Sequence, residues 1–438
     1  MDFRTIIAKR REGIAQSEEE LRAIANGAAS GEIPDYQLSA WLMAAYLKPL
    51  TDAETAMFTL AMAKSGEHVD LTGVPKPWVD KHSTGGVGDK TTLVLAPLLA
   101  ACGLSVIKMS GRGLGITGGT IDKLTCIPGF SSDLTPADMV SQAKKIGIAV
   151  AGQSHYLAPA DKALYALRDV TETVGSLPLI VSSILSKKIA GGAETVVLDV
   201  KCGSGSFNPT IDHAEKLAAA LTRVGQQAGL KVFAAITDMN QPLGSAVGNA
   251  LEVQEAIRVL SLPESELSSN SKRFRELCRY FGALALRVSG MAGSGSEALA
   301  RIEDTLQSGR ALEKARQWIA AQGGTVDLTD DSWLPRSTLQ ETFTTHTSGC
   351  VAKVDAKIIG EIALEIGAGR KSKADEIDLA VGLELHVKVG DFVTVGQPLA
   401  TIHAQSSEQL AYAKEWLLMA IQVQNAPVLP LPIVVRPA

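Results

Sequence analysis

Two runs rich in glycine, hydroxyl and cationic side chains lie close together in this 438-residue sequence. The first, "VDKHSTGGVGDKTTL", covers residues 79–93, and the second, "IKMSGRGLGITGGTIDKL", covers residues 107–124. Glycines let backbone N–H groups approach an anion, hydroxyls donate to its oxygens, and lysines supply positive charge. These residue types at this spacing predict a phosphate site built from two loops.

Other interpretations of the two loops account for less of the sequence. A P-loop needs two glycines before its lysine, but Thr84 and Asp89 stand at those positions. Gly113, Gly115 and Gly118 fit a dinucleotide fingerprint, which is a weak signal alone and leaves the first loop unexplained. Tight turns would require the glycines but not the polar side chains around them, which are Lys81, Ser83, Thr92, Ser110 and Thr120.

The elements that must position these loops change in character along the chain. Residues 1–67 are helical in pattern, and 160–191 add further helical stretches, so we expect one small all-helical domain. Residues 68–159 and 192–335 alternate short apolar runs with helical stretches, which predicts a large α/β domain with a mainly parallel sheet. Residues 336–438 predict an α+β domain with a sandwich-like carrier fold. Both loops would then follow strands at their carboxyl ends, where open α/β sheets bind ligands.

Composition limits the function classes. The formal net charge of −5 gives no basic field for nucleic acid. The five cysteines form no C-x-x-C pair, which favours reduced thiols and a cytoplasmic location. The longest apolar stretch, residues 93–107, is shorter than the roughly 20 residues of a membrane span. We therefore expect no membrane and no nucleic acid partner. The sandwich-like tail has no Met-Lys-Met, so we also expect no organic cofactor.

At this point the residues resemble a known family. "DKHSTGGVGDKTTL" and "SGRGLGITGGTIDKL" together closely resemble the signature of the pyrimidine-nucleoside and thymidine phosphorylases. The resemblance continues through "ALYALRDVTETVGSLPLIVSSILSKK", "LDVKCGSGSF" and "TDMNQPLG" to the sandwich-like tail. It implies a homodimer with a cleft between the helical and α/β domains. It also implies reversible cleavage of uridine, thymidine and deoxyuridine, in pyrimidine salvage, with inorganic phosphate as co-substrate. The products would be free base and (deoxy)ribose 1-phosphate.

The resemblance also implies roles for individual residues. The expected phosphate contacts are Lys81, Ser83, Thr92, Lys108, Ser110 and Thr120. Arg168, Ser183 and Lys187 are expected to bind the base, and His82 is expected near the pyrimidine O2. Glycosidic cleavage leaves negative charge on the base, so cationic donors suit that side, while phosphate itself is the nucleophile. We therefore expect catalytic roles for His82, Arg168 and Lys187.

Lys108 bears on sugar preference. Relatives that accept uridine and thymidine alike carry lysine at this position, and relatives that prefer thymidine carry methionine. The resemblance therefore implies broad specificity, with a thymidine-only phosphorylase as the alternative. Lys108 and Ser110 would point to the same face of an extended strand.

A structural potassium ion is a further implication, since bacterial relatives bind one. The matching positions in this chain are Gly88, Lys90, Leu243, Ala246 and Glu255. Lys90 departs from the family pattern. If its carbonyl is the ligand, the ion is retained; if its ammonium points inward, the ion is displaced. Other departures, expected near the binding edge of the sheet, are Thr125, Cys126, Cys202 and Ser206.

Two functions of other classes remain as alternatives. A phosphoribosyltransferase of related fold, such as the anthranilate enzyme, would handle pyrophosphate with magnesium and need acidic ligands. The acids that follow the strand ends in the two loop segments are Asp89 and Asp122. A nucleoside-binding protein without activity would be expected to lose His82, Arg168 or Lys187, and all three are present. The phosphorylase is therefore the favoured interpretation.

Overall fold

The computed structural model describes residues 2–113, 115–152, 156–372 and 374–438. The N-terminal helices are α1 (Phe3–Arg11), α2 (Glu18–Ser30), α3 (Asp35–Leu47) and α4 (Asp52–Ala63). Two of them begin at reciprocal caps, in which the first side chain accepts a backbone N–H and a glutamate three residues later returns the bond. These caps are formed by Ser17 with Glu20 and by Thr51 with Glu54.

Two later helices return to pack on this region. They are α8 (Pro159–Val170) and α9 (Leu177–Ala190). Leu164 and Leu179 are buried in the same apolar cluster as Trp41 and Phe58. Leu185 of α9 packs instead toward the α/β region, so α9 contacts both parts of the molecule.

The central sheet is mainly parallel. Its strands are β1 (Val79–Ser83), β2 (Val106–Ser110), β3 (Ile148–Gly152), β4 (Thr195–Cys202) and β5 (Lys231–Asp238). Parallel pairs join β1 to β4, β4 to β5, and β2 to β3. A parallel bridge between Trp78 and Ser105 places β2 beside β1. Across the sheet the order is therefore β3, β2, β1, β4 and β5, with a short antiparallel strand from the C-terminus at the far edge.

Helices cover this sheet and form the largest core. The connecting helices are α5 (Thr91–Ala101), α6 (Thr120–Leu124), α7 (Pro136–Ile146) and α10 (Ile211–Gln227). A further group consists of α11 (Asn249–Ser261), α12 (Ser269–Val288), α13 (Gly295–Gln307) and α14 (Arg310–Ala321). Helix α5 is apolar on all sides and almost wholly buried, because it lies between the sheet and this second group.

The C-terminal region is α+β. Its strands, with β6 from the α/β region, are β6 (Ala246–Val247), β7 (Leu339–Thr344), β8 (Gly349–Val354), β9 (Gly382–Leu385), β10 (Phe392–Val393), β11 (Pro398–Ala404), β12 (Ile421–Gln424) and β13 (Val434–Arg436). Its helices are α15 (Ala356–Ala363), continued by a π turn (Leu364–Ala368), and α16 (Ser407–Ala420). Antiparallel sheets run in the orders β6-β9-β11-β7 and β10-β8-β12. The predicted fold class is thus confirmed.

Within the part of the chain that the structure describes, no helix combines the length and apolar character that a bilayer crossing requires.

Candidate active site

The two glycine loops lie at the carboxyl ends of neighbouring parallel strands. Strand β1 ends at Ser83 and β2 ends at Ser110. Loops 84–90 and 111–119 lead from these strands into α5 and α6, and residues 203–210 follow β4 in the same way. Parallel strands end at a common edge, so the three loops meet at the edge where open α/β sheets bind ligands.

Lys81 is buried beneath the first loop in a network of charges. Its ammonium donates to Thr91 Oγ1 and to Asp199 Oδ2, the latter at 3.1 Å. Lys201 pairs with the same carboxylate at 2.8 Å. Burial alone would lower the pKa of Lys81, but Asp199 and Asp89 outweigh it, and the pKa lies above its ordinary value. Lys81 is therefore charged, and Asp199 balances that charge within the protein.

Hydroxyl side chains along this edge come from separate elements. Ser83 ends β1, and its Oγ accepts the Gly85 N–H at 3.1 Å. Thr92 lies in the first turn of α5, Ser110 ends β2, and Thr120 begins α6. The sheet register and the positions at which α5 and α6 begin therefore fix the distances between these hydroxyls. Together the hydroxyls provide donors suited to phosphate oxygens along one edge of the sheet.

Asp122 organises the second loop. Its carboxylate accepts the Gly113 N–H at 2.6 Å and the Arg112 guanidinium at 3.1 Å. Arg370, from the C-terminal region, donates to the same group at 2.8 Å. The loop closes on itself so tightly that a Cβ on Gly119 would lie 2.1 Å from the Gly113 nitrogen. Only glycine fits where the two backbone segments pass.

Helix α11 holds the two loops together through a buried lysine. The Lys123 ammonium donates to the carbonyl of Asp89 in the first loop at 2.6 Å and to that of Gly118 in the second at 3.3 Å. It pairs with Glu252 of α11 at 2.7 Å. Both partners of this ion pair are almost fully buried, so the contact between the loops is shielded from solvent.

His82 lies on the opposite face of β1 from Lys81. Burial, together with the ammonium groups of Lys188, Lys108 and Lys187, lowers its pKa well below the ordinary value. The imidazole is therefore neutral near pH 7 and carries one N–H that can donate. Because Lys187 belongs to α9, a residue expected to bind the base lies near enough to affect the pKa of His82.

Lys108 contacts β1 rather than either glycine loop. Its ammonium donates to the Lys81 carbonyl at 2.6 Å and lies 3.5 Å from Asp80 Oδ1. Lys188 pairs with the other oxygen of Asp80 at 2.7 Å. Burial and the neighbouring Lys188 outweigh Asp80 and lower the pKa of Lys108 to about 7. The charge on Lys108 therefore changes within the physiological pH range.

Arg168 of α8 is buried and holds the segment that leads into α9. Its guanidinium donates to the carbonyls of Thr173 at 3.4 Å, Val174 at 2.7 Å and Leu179 at 3.0 Å. Burial lowers its pKa from the ordinary value. A guanidinium has five N–H groups, so donors remain for a ligand while the others fix its plane.

Ser183 and Lys187 share one face of α9, as their spacing predicts. The Lys187 ammonium donates to Ser183 Oγ at 3.1 Å and to Asp161 of α8. Lys187 remains partly exposed, whereas Asp161 is buried. Asp161 therefore orients the Lys187 ammonium from its buried side, and the exposed side of the ammonium stays accessible to a ligand.

The positions implied for potassium surround an ammonium group. Lys90 Nζ lies 2.8 Å from the Leu243 and Ala246 carbonyls and 2.6 Å from Glu255 Oε2. Gly88 lies beside the same group of oxygens, since a Cβ on Gly88 would lie 2.8 Å from the Leu243 carbonyl oxygen. The ammonium already takes the oxygens that a potassium ion would need, so these residues do not fit a separate ion.

Sequence reasoning missed the carboxylates that balance the lysines. Asp199 and Lys201 lie in β4, whose residues are all buried, and Asp80 lies in the buried part of β1. Asp199 could have been found from the sequence, because it is a charged residue inside a mainly apolar strand and a buried charge requires a partner. Asp161 gave no such signal, since helix α8 has a polar face.

The departures from the family pattern lie around the same edge. Thr125 donates to the Asp122 carbonyl at 2.6 Å, and Ser206 donates to the Lys201 carbonyl at 3.1 Å. Cys126 and Cys202 are buried. The two cysteines fill the interior beside the loops, whereas Thr125 is exposed.

Comparison with known proteins matches this chain along most of its length. Family models match it at residues 4–66, a glycosyl transferase helical bundle domain, and at 75–312, the α/β domain of that family. Residues 350–424 match the pyrimidine nucleoside phosphorylase C-terminal domain.

Curated relatives and one solved structure agree with these matches. A pyrimidine-nucleoside phosphorylase of Geobacillus stearothermophilus is 46% identical over 424 residues, covering 97% of this chain and 96% of the relative. That of Bacillus subtilis is 48% identical over 400 residues, covering 91% of each. An anthranilate phosphoribosyltransferase from Thermus thermophilus superposes with a TM-score of 0.59 at 18% identity, covering 74% of this chain and 99% of that one. The last likeness is one of fold alone.

Matched over nearly its full length at close to half identity, and carrying the C-terminal domain that is named after the group, this chain belongs to the pyrimidine-nucleoside phosphorylase family.

Proposed function

We propose that this protein catalyses the reversible phosphorolysis of uridine, thymidine and deoxyuridine in pyrimidine salvage. The observation that carries the proposal is the division of polar groups between two parts of the molecule. Hydroxyls and Lys81 line the sheet edge, while Arg168, Ser183 and Lys187 come from the helices opposite. One side suits an anionic nucleophile, and the other suits a leaving group that becomes negative.

The proposed reaction needs no protein nucleophile. A phosphate oxygen held at the glycine loops attacks C1′ of the nucleoside while the bond from C1′ to the pyrimidine nitrogen breaks. The bonding electrons leave with the base, and Arg168, Lys187 and neutral His82 donate hydrogen bonds to its carbonyl oxygens as charge grows there. The base anion then takes a proton from water, and the other product is the sugar 1-phosphate.

Release of uracil from uridine tests the proposal against its alternatives. We expect release that depends on inorganic phosphate and continues when divalent cations are chelated. Release that required pyrophosphate and magnesium would indicate a phosphoribosyltransferase instead. Binding of uridine without turnover, measured by calorimetry, would indicate a binding protein. Running the reaction from uracil and ribose 1-phosphate tests reversibility.

We also propose that the protein is a cytoplasmic homodimer. Helix α3 leaves Tyr36, Met43 and Leu47 exposed on one face, at 73%, 39% and 67%, with spacings that place them on one helical stripe. All five cysteines are unpaired thiols, as a reducing compartment favours. Analytical ultracentrifugation of wild type and of Leu47→Glu tests the dimer; a wild-type monomer at micromolar concentration would contradict it.

A further inference from the structure

Lys90 ends the first glycine loop and is sealed inside the protein. Its side chain is 0% exposed. The ammonium has three N–H groups and three acceptors, which are the Leu243 carbonyl at 2.8 Å, the Ala246 carbonyl at 2.8 Å and Glu255 Oε2 at 2.6 Å. Every donor is thus satisfied, and the group has no contact with solvent.

Glu255 is equally well satisfied. Its Oε1 accepts the Ser245 N–H at 2.8 Å and the Ser271 hydroxyl at 2.7 Å. Its Oε2 accepts the Ala246 N–H at 2.9 Å in addition to Lys90. Burial alone would raise the pKa of Glu255, but Lys90 and the backbone donors outweigh it and the pKa lies below its ordinary value. A buried carboxylate in this state requires a positive charge beside it.

The residues around the Lys90 ammonium pack closely and form a cage. Gly244 has a φ of +76°, and a Cβ there would lie 2.5 Å from Glu255 Oε1. The Phe274 ring centroid lies 5.4 Å from Lys90 Nζ and closes another side. Two inward carbonyls, one carboxylate and an aromatic face together form a site for one monovalent cation.

We infer that the Lys90 ammonium is the monovalent cation of this site, covalently tethered, so that the protein folds without bound potassium. An ammonium and a potassium ion carry the same charge and approach oxygen ligands to similar distances. A separate ion could enter only by displacing Lys90 Nζ from all three oxygens. That would bury a second positive charge beside a single carboxylate, which is unfavourable.

The contacts of Lys90 also constrain the first glycine loop. Lys90 is the residue immediately before α5, and α5 begins with Thr91 and Thr92. Holding Lys90 to Glu255 of α11 fixes the end of the loop and the start of that helix. Under the proposed function, phosphate binding would then be independent of potassium. The stability measurement below does not depend on that function.

Wild-type protein provides the first test. Samples are dialysed against choline chloride and melted by calorimetry, with KCl or choline chloride added to the same ionic strength of about 0.1 M. We expect Tm values that agree within about 1 °C, since no site is left to fill. A saturable rise of several degrees with KCl alone would overturn the inference. This comparison stands whether or not any variant folds.

The second test opens the site. In Lys90→Thr the ammonium is removed and the oxygens of Leu243, Ala246 and Glu255 remain. We expect a lowered Tm in choline chloride and a saturable rise of about 5 °C with KCl. If KCl and choline chloride gave the same Tm, the cage would not be a cation site and the inference would fail.

Lys201→Thr is the matched control. Lys201 is also 0% exposed and paired with a carboxylate, but its other partner is the Thr237 hydroxyl rather than inward carbonyls. We expect a lowered Tm that does not distinguish KCl from choline chloride. An equal response of both variants to KCl would show a general effect on weakened protein and would count against the inference.

Discussion

Single side chains at the candidate site are paired rather than free. Asp161 pairs with Lys187 and Asp199 with Lys81, while Asp80 lies between Lys188 and Lys108. The ammonium groups are thus held in fixed positions, and a substrate or phosphate that arrives meets oriented donors. Such preorganisation is the main physical source of rate enhancement in sites that stabilise developing charge.

Lys187 is expected to act on the leaving base. Lys187→Gln should lower kcat by roughly 10² to 10³, because one charged donor is worth about 2–4 kcal/mol at a transition state. Phosphorolysis rates and Tm are measured together. Lys216→Gln, at an exposed lysine paired with Asp212, is the control and should keep full activity. A Lys187→Gln rate near that of wild type would remove Lys187 from the site.

Arg168→Ala should lose activity and stability together. Its guanidinium holds three carbonyls between residues 173 and 179, so the variant leaves buried acceptors unpaired in addition to removing a donor for the base. Arg168→Lys restores charge but not the planar arrangement, and should recover stability less than fully. A fully active and stable Arg168→Ala would contradict both roles.

His82 is expected to be neutral in the absence of phosphate. Its lowered pKa means that the unfolded chain binds a proton more readily than the folded one below about pH 6.5. Folding stability therefore falls on acidification through that range. Histidine NMR should show a neutral ring at pH 6, and phosphate should raise the pKa by adding negative charge nearby. A protonated ring at pH 6 without phosphate would contradict this account.

Lys108→Met tests sugar preference. The ammonium contacts β1 in this structure, and we expect it to donate to the 2′-hydroxyl of a bound ribose, which thymidine lacks. We expect kcat/KM for uridine to fall roughly tenfold more than for thymidine, the cost of one unsatisfied hydroxyl being about 1–3 kcal/mol. Equal losses for both substrates at saturating phosphate would assign Lys108 to β1 and phosphate alone.

The sequence pattern predicted which residues form the phosphate site, but it did not predict the ion-pair partners of the lysines. The glycine, hydroxyl and lysine loops could be assigned to a phosphate site because their chemistry is local. Asp199 could not be assigned to Lys81, since the two are 118 positions apart and meet only when β1 pairs with β4. The inward direction of Lys90 was equally hidden, because the choice between its carbonyl and its ammonium depends on the distant residue Glu255.

At the scale of elements, the site depends on how closely the two loops pass. Lys123 bridges them to Glu252 of α11, and Gly119 lies directly against Gly113. These contacts make the loops one unit, although they follow different strands. Alternating strands and helices predicted the sheet and its binding edge, but the role of α11 as a common support depends on tertiary packing.

Gly119→Ala should disrupt that unit. The new Cβ would lie 2.1 Å from the Gly113 nitrogen and 2.4 Å from the Arg112 carbonyl carbon. We expect a clear rise in KM for phosphate and a loss of about 1–3 kcal/mol in the free energy of unfolding. Gly295→Ala, where a Cβ meets nothing within 4 Å, is the control. Unchanged phosphate kinetics in Gly119→Ala would show that the loop does not hold phosphate.

At the scale of the whole molecule, the proposed ligands are shared between two parts. Phosphate would be held by loops of the sheet, and the base by α8 and α9, which pack with the N-terminal helices. Closure of the cleft would then bring the reactants together. We expect small-angle scattering to show a smaller radius of gyration with phosphate and an unreactive uridine analogue together than with either alone. No change with both ligands would contradict assembly by closure.

Phosphorus NMR of a reaction containing uridine and inorganic phosphate tests the central claim most directly. The claim is that phosphate at the glycine loops attacks C1′ while the helical cations hold the departing base. It predicts a ribose 1-phosphate signal that grows in step with uracil, one to one, and that is lost in Lys187→Gln. Uracil formed together with free ribose, or no uracil without added pyrophosphate, would contradict the account.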